Sequence, residues 1–297
     1  MRVFAEPFRL GWQQSVQVRT TLFEGNSEFQ HLEVLDTVPF GRMLVLDDAT
    51  QTSEIDEYIY HEMLTHVPMM AHPDPKRVLV IGGGDGGALR RVLEYPVEKA
   101  TMVEIDSEVV RVSREWLPSI AGDAFDNPRG ELIIGDGVKY LRETTEHFDV
   151  ILVDSTDPVG PAVDLFNDAF YQDAQRAIGD NGIIVTQSGS PLVMLDELLA
   201  AVERLRRIFP IVKTYTCSIP IYPGVLWSFT AASNSIDPAQ IDPARIAARL
   251  QANGSRTGWY TPAIHAAAFA LPNFLAAKLK MQKSDDPTAL TVPISGE

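Results

Sequence analysis

The chain has 297 residues, 45% of them hydrophobic, enough for one large core with smaller attachments and too apolar for wholesale disorder. Its formal net charge is −15, from 25 basic and 40 acidic residues; this argues against a nucleic-acid partner and for cationic ligands, although acidity also serves plain solubility. A single cysteine, Cys217, excludes an internal disulfide and a cysteine metal cluster, and no apolar stretch reaches the roughly 20 residues that span a bilayer.

Residues 1–53 carry short alternating segments, SVQVRTTLF, QHLEVLDT and GRMLVLDD, separated by the turn sequences EGNSE and VPFG. That pattern predicts a small N-terminal antiparallel β-domain. MRVFAEPFRLGW holds no apolar h-region, so no signal peptide is expected, and one cysteine suits a reducing, cytoplasmic setting. Residues 54–74 read as a connecting helix. Ser53 is placed to cap it, and Ile55, Ile59, Met63 and Val67 recur at i+4 spacing.

From Pro75 strands alternate with helices. RVLVIG (77–82), KATMVEID (99–106), ELIIG (131–135), FDVILVD (148–154) and GIIVTQS (182–188) are predicted strands. Residues 86–95, 107–117, 137–145, 168–178 and 191–209 are predicted helices. Such alternation implies a mostly parallel sheet with helices on both faces. IVKTYTCSI (211–219) and VLWSFTAAS (225–233) read as a closing antiparallel hairpin, and 236–280 as helical. This catalytic unit is bounded at 75–280, and 281–297 reads as a disordered tail on composition.

The first strand-to-helix turn is IGGGDGG, in which Gly82, Gly84 and Gly87 fit G-x-G-x-x-G. Alone this permits a dinucleotide site, an S-adenosyl site, or tight packing. Asp85 sharpens the choice. A carboxylate beside a dinucleotide's pyrophosphate is costly, whereas an ammonium or sulfonium group is welcomed there. The plainer role for Asp85 is a helix cap. Glu104 ends the next strand, where an acid can accept hydrogen bonds from both ribose hydroxyls. Asp136, in Gly135-Asp136-Gly137, ends the third strand, where it caps a helix or accepts from an adenine amino group. Three successive strands ending in acids form a constellation at the edge where such sheets bind ligands. The fourth strand runs into DSTDPVGP (154–161), with Asp154 and Asp157 three residues apart and Pro158 and Pro161 stiffening the segment. Its residues are those of a surface turn, but its position is that of an active-site loop.

With GGGDGG, VEID, GDG, DSTDPVGP, DEYIYHEM and YTPAIHAAAFALP in view, the chain closely resembles the spermidine synthase family over roughly residues 8–276. These are polyamine aminopropyltransferases with a Rossmann-like, class I methyltransferase core and an N-terminal β-domain. His61 in HEM matches the bacterial type. The resemblance implies transfer of an aminopropyl group from decarboxylated S-adenosylmethionine, the co-substrate, to a small-molecule diamine, putrescine, giving spermidine and methylthioadenosine. It implies no metal and no prosthetic group, and a homodimer or homotetramer in the cytoplasm. Gln30, His61, Asp85, Glu104, Asp136, Gly137 and Pro161, with the loop glycines Gly82 and Gly84, are then expected at the nucleoside and the chain being transferred. Asp154, Ser155, Thr156, Asp157, Tyr60, Gln51 and Tyr222 are expected at the amine. Asp154 is expected as general base, with Tyr60 and Asp157 assisting. Thr156 stands where many members have serine, and Ile221 and Trp227 depart from common relatives, which bears on the choice of amine.

The chemistry agrees with these residues. Putrescine's amines have pKa values of about 10, so one end must lose a proton before it can attack carbon while the other stays charged and held. Two carboxylates divide that work. The leaving group is a thioether, so no metal is required, and the six histidines contain no i,i+4 pair. The rival readings are a small-molecule methyltransferase using S-adenosylmethionine and a polyamine-binding protein without turnover.

Overall fold

The structure, a computed structural model, describes residues 2–8, 11–156 and 164–281. Asp157, Pro158 and Pro161, and the expected tail apart from Met281, lie outside the described residues.

Two sheets make up the frame. The first is antiparallel, with strands β1 (Arg2–Pro7), β2 (Gln13–Asn26), β3 (His31–Thr37), β4 (Gly41–Leu46) and β5 (Ala49–Ser53) in sequential order. The alternating segments named above are β2 to β4; β1 and β5 had no such signature. In β1 only Phe4 and Glu6 point inward, too short an alternation to stand out. Asp47 and Asp48, between β4 and β5, both have positive φ (47° and 64°), as a tight two-residue hairpin requires.

The second sheet has the order β11-β12-β10-β9-β6-β7-β8. Strands β6 (Arg77–Gly82), β7 (Lys99–Glu104), β8 (Gly130–Ile134), β9 (Val150–Asp154) and β10 (Ile183–Gln187) are parallel. The hairpin of β11 (Ile211–Ser218) and β12 (Leu226–Ser233) joins antiparallel at β10. The fold is thus a Rossmann-like, methyltransferase-type α/β core with an N-terminal antiparallel sheet. From β6 the chain builds outward through β7 and β8, then returns to lay β9 on the other side. The reversal makes β6 and β9 neighbours, with Gly82 opposite Asp154. Crevices open at such switch points, beyond the carboxyl ends of the strands.

The strands' near-continuous apolar runs feed two cores, because successive side chains point to opposite faces. Val78, Val80, Met102, Val150, Leu152 and Val185 face one core; Leu79, Ile81, Val103, Ile151, Val153 and Ile184 face the other. On the first face lie α1 (Glu57–Ala71) and α2 (Gly87–Leu93), on the second α5 (Gly137–Glu143) and α6 (Asp168–Ile178). A third cluster joins the sheets: Leu32, Val34, Leu44 and Leu46 of the N-terminal sheet pack on Val109 and Val112 of α3 (Ser107–Trp116), Ile120 of α4 (Pro118–Ala121) and Leu117 between the two helices.

Several local expectations are corrected. Ser53 does not cap α1; it ends β5 and donates to Asp56 Oδ1 at 2.6 Å, and Asp56 occupies the N-cap position. Ile55 precedes the helix and is exposed. Of the helix itself only Tyr58 is not buried, so α1 is enclosed all round rather than amphipathic. The helix predicted from 191 starts later, as α7 (Leu195–Ile208), after a turn. Residues 236–280 are not one helix but α8 (Pro243–Asn253), α9 (Pro262–Ala268) and α10 (Asn273–Met281), broken after Gly254 and at Leu271-Pro272. No helix of the described residues is long and apolar enough to cross a membrane.

Candidate active site

A cavity of about 400 Å³ lies at the switch point. The ends of β6, β7 and β9 form its floor, α1 supplies one wall, and Gln30 of the β2–β3 turn, with Leu44 and Gln51 of the N-terminal sheet, closes the opposite side. Its size is that of a small-ligand site.

The glycine loop is shaped by close approach. Gly82 has φ +82°, and a Cβ there would stand 2.2 Å from the Asp154 carbonyl oxygen. Gly83 N–H donates to that same oxygen at 2.8 Å. At Gly87 an added Cβ would meet the His61 ring at 2.2 Å. These glycines let the loop fold down on β9 and leave room for the imidazole.

Asp85 stands just before Gly86, which occupies the N-cap position of α2, and it serves the start of that helix from there. Its Oδ1 accepts from Gly87 N–H at 2.8 Å, while its Oδ2 lies 3.4 Å from His61 Nε2. The other ring nitrogen, Nδ1, is 2.6 Å from Glu57 Oε2. Burial works against a charged imidazole, but the carboxylates of Asp85 and Glu57 outweigh it and push the His61 pKa up to about 10. Tyr60 donates its hydroxyl to Asp154 Oδ1 at 2.7 Å. Burial and the Asp154 charge hold the phenol's pKa well above its usual value, so it stays a donor. Asp154 itself is pushed up to about 6: burial raises it, His61 opposes, and Asp85 adds to the rise. A carboxylate poised there is charged at neutral pH yet basic enough to take a proton. The donor atoms of His61, Asp85 and Asp154 lie within 4.8 Å of one another. Asp85 and Asp154 outnumber the single charged imidazole between them, so the cluster keeps a negative excess that suits a cationic ligand.

On the side where a nucleoside is expected, Glu104 is buried at the end of β7 and accepts from Asp106 N–H at 2.8 Å. Burial pushes its pKa up to about 7. Asp136 caps α5 through the backbone N–H groups of Val138 and Lys139, and still lines the cavity beside Gly137. Gly137 is constrained by packing, since a Cβ would meet Ile81 Cγ2 at 2.4 Å. Gln30 reaches across from the β2–β3 turn to donate to Asp106 Oδ2 at 2.9 Å.

On the opposite side Tyr222 donates its hydroxyl to the Gln51 carbonyl at 2.5 Å, and its ring lies 4.4 Å from that of Trp227. The turn carrying Tyr222 is tied to the start of α1 through Ile221 N–H and Asp56 Oδ2 at 2.9 Å. Ser155 Oγ and Trp227 Nε1 are buried at the cavity with no hydrogen-bond partner among the described residues. Thr156 lines it as well. Every described residue expected at the nucleoside or at the amine thus lines one cavity, whereas Gly87 and Ile221 do not line it, and Asp157 and Pro161 lie outside the described residues.

Three lining or supporting groups were missed. Glu6 of β1 is buried and lines the cavity; an inward acid in a two-step alternation was its only signal. Gln187, ending β10, donates to the Ser155 carbonyl at 3.2 Å and accepts from Gly189 N–H at 3.0 Å. Glu57 sits one turn before His61 and looked like an ordinary first-turn acid.

Comparison with known proteins decides the family. Residues 57–242 match the spermine/spermidine synthase domain, and 3–54 the spermidine synthase tetramerisation domain. The chain belongs to the spermidine synthase family. It is 51% identical over 267 residues to a polyamine aminopropyltransferase of Desulforudis audaxviator, covering 90% of this chain and 94% of that one. It is 44% identical, over 90% of its length and 94% of the relative's, to the polyamine aminopropyltransferase of Bacillus cereus. A solved spermidine synthase in complex with the transition state analogue AdoDATO superposes with a TM-score of 0.90 at 36% identity, over 94% of this chain and 95% of that one. Spermidine synthase from Thermotoga maritima superposes with 0.89, also at 36% identity, over 95% of each. As a member of this family the chain is an enzyme, a polyamine aminopropyltransferase.

Proposed function

We propose that this enzyme transfers the aminopropyl group of decarboxylated S-adenosylmethionine to putrescine, with Asp154 as general base. The observation that carries the reading is the Tyr60–Asp154 hydrogen bond at the switch point, within one cation-favouring cavity with Asp85 and His61. Glu104 and Asp136 offer acceptors for the ribose and adenine of the co-substrate. Asp85 faces the aminopropyl ammonium. Asp154 takes a proton from the near nitrogen of putrescine, whose lone pair then attacks the carbon next to sulfur. The carbon–sulfur bond breaks, and the electron pair converts the sulfonium into neutral methylthioadenosine. Asp157, in DSTD, is assigned to the distal ammonium, and Pro161 to the adenosine. Holding the two substrates in line contributes several kcal/mol more than binding alone. The match of residues 3–54 to a tetramerisation model supports a homodimer or homotetramer, and the buried, unpaired Cys217 suits the reducing cytoplasm.

The test is a product assay. Purified protein given decarboxylated S-adenosylmethionine and a panel of putrescine, cadaverine, agmatine and spermidine should release methylthioadenosine, fastest with putrescine. Another amine turned over faster would replace putrescine as the acceptor. S-adenosylhomocysteine formed from ordinary S-adenosylmethionine would replace the reading with methyl transfer.

Asp85 has a separable consequence. Ordinary S-adenosylmethionine carries a carboxylate that the decarboxylated form lacks, and a like charge at Asp85 repels it. Asp85→Asn is expected to reduce the preference for the decarboxylated form by about tenfold or more, since opposed like charges cost several kcal/mol. Titration of both nucleosides into wild type and variant measures this, and equal preference in the two proteins would count against the assignment.

A further inference from the structure

We propose that Glu57 is a positioning residue for the active site: its carboxylate on Nδ1 of His61, opposite Asp85 on Nε2, keeps the ring an imidazolium that faces Asp154. The inference rests on the proposed role of Asp154 for its kinetic consequence only.

Geometry carries it. Glu57 and His61 are one turn apart on α1, 8% and 2% exposed, with Oε2 and Nδ1 at 2.6 Å. Asp85 Oδ2 stands 3.4 Å from the other nitrogen. The ring cannot swing out of this line toward the loop, because Gly87 packs against it so closely that a Cβ would collide at 2.2 Å. A neutral imidazole has one donor and one acceptor nitrogen. In either tautomer one carboxylate would then face a lone pair. Only the imidazolium presents an N–H to both.

That cation matters for its neighbours. Asp85 and Asp154 bring carboxylate oxygens within 4.8 Å of each other and of the ring. Two carboxylates so placed normally hold on to a shared proton, and a positive charge between them removes the need. His61 is accordingly the strongest influence opposing burial at Asp154. Glu57 is in turn braced by α2. Arg90 Nη2 lies 2.6 Å from its Oε1 and Arg91 Nη2 3.9 Å. Burial disfavours the charge on Glu57, but His61 and these two arginines outweigh it and lower its pKa. The groups facing His61 are thus Glu57 from its own helix, Asp85 from the glycine loop and Asp154 from β9, with Tyr60 alongside and Arg90 behind Glu57.

The test reads the ring directly. Nitrogen-15 NMR of His61 in the full-length, ligand-free protein should show both ring nitrogens protonated from about pH 6 to about pH 9, where a free histidine is neutral over most of the range. In Glu57→Gln the ring should titrate inside that window. Loss of the cation disfavours ionised Asp154, so its pKa rises, and the acid limb of kcat/KM should move up by about one pH unit. Glu57→Asp should recover part of both shifts. A neutral His61 in wild type overturns the proposal, as does an unchanged ring pKa in Glu57→Gln. If that variant does not fold, an unchanged ring pKa in Glu57→Asp overturns it equally. The ring charge is read without substrate: a cationic His61 in a protein that transfers no aminopropyl group would remove the functional reading and leave this one standing.

Discussion

Asp154→Asn is expected to lower kcat by about 10²- to 10⁴-fold, the usual worth of a general base, with little change in affinity for the nucleoside co-substrate. Asparagine matches aspartate in shape and keeps an oxygen for the Tyr60 hydroxyl, so the hydrogen bond of 2.7 Å has a successor. What it loses is the ability to take a proton. The wild-type acid limb should follow Asp154, with kcat/KM rising as pH climbs through about 6, and the variant should lose that limb. Stability should move the other way. The Asp154 pKa is raised from 3.8 to about 6, so the folded state favours the protonated form. Its contribution to stability is full at low pH and is lost as pH rises toward 6 and beyond. At neutral pH the variant should therefore melt at or above the wild-type temperature. Single-turnover kinetics and a thermal melt at one pH measure both. Near-normal turnover with an intact acid limb would assign the base elsewhere.

Glu62→Ala should be the most damaging single change away from the cavity. Glu62 follows His61 on α1 and is fully buried. Its two oxygens accept from the backbone N–H groups of Gly258, Trp259 and Tyr260 at 2.7, 2.8 and 2.7 Å, and Arg91 lies 3.4 Å away. Alanine leaves three backbone donors and a nine-tenths-buried guanidinium without this acceptor. Breaking a buried charged pair from one side costs about 3–5 kcal/mol, or a fall in Tm of about 10 °C in a chain of this size. Glu62→Gln keeps one acceptor oxygen and should fall between. Differential scanning calorimetry ranks the three proteins, and hydrogen exchange should show protection lost first at 258–260. A variant that melts with wild type would mean that water replaces the carboxylate without cost.

The parallel strands were legible because each is a short apolar run, in all but β10 ended by glycine or an acid, as in RVLVIG and KATMVE. The cavity was legible because those endings fall at the one edge where such a sheet gathers ligands. The family's motifs then supplied Gln51 from the other sheet and Gln30 from its β2–β3 turn, which periodicity alone does not connect to the core. The failures have specific causes. α1 is buried on every side, so its spacing marks no face, and Ser53 imitated a cap while its hydroxyl went to Asp56. Glu6 needed knowledge of which way β1 faces. Glu57 looked like a dipole-favoured acid, since nothing local reveals that Arg90, Arg91 and His61 converge on it.

The contacts of α1 also set an order of events on the ribosome. Strands β1 to β5 pair only with their sequence neighbours and can zip as they emerge. The helix that carries Tyr60, His61 and Glu62 cannot settle then, because its buried carboxylate waits for donors 196 to 198 positions downstream. Pairings at such separation form late and slowly. A nascent chain halted before residue 258 would thus display a finished N-terminal sheet beside an unfinished pocket, and the reaction chemistry would arrive only once residues 258–260 had emerged.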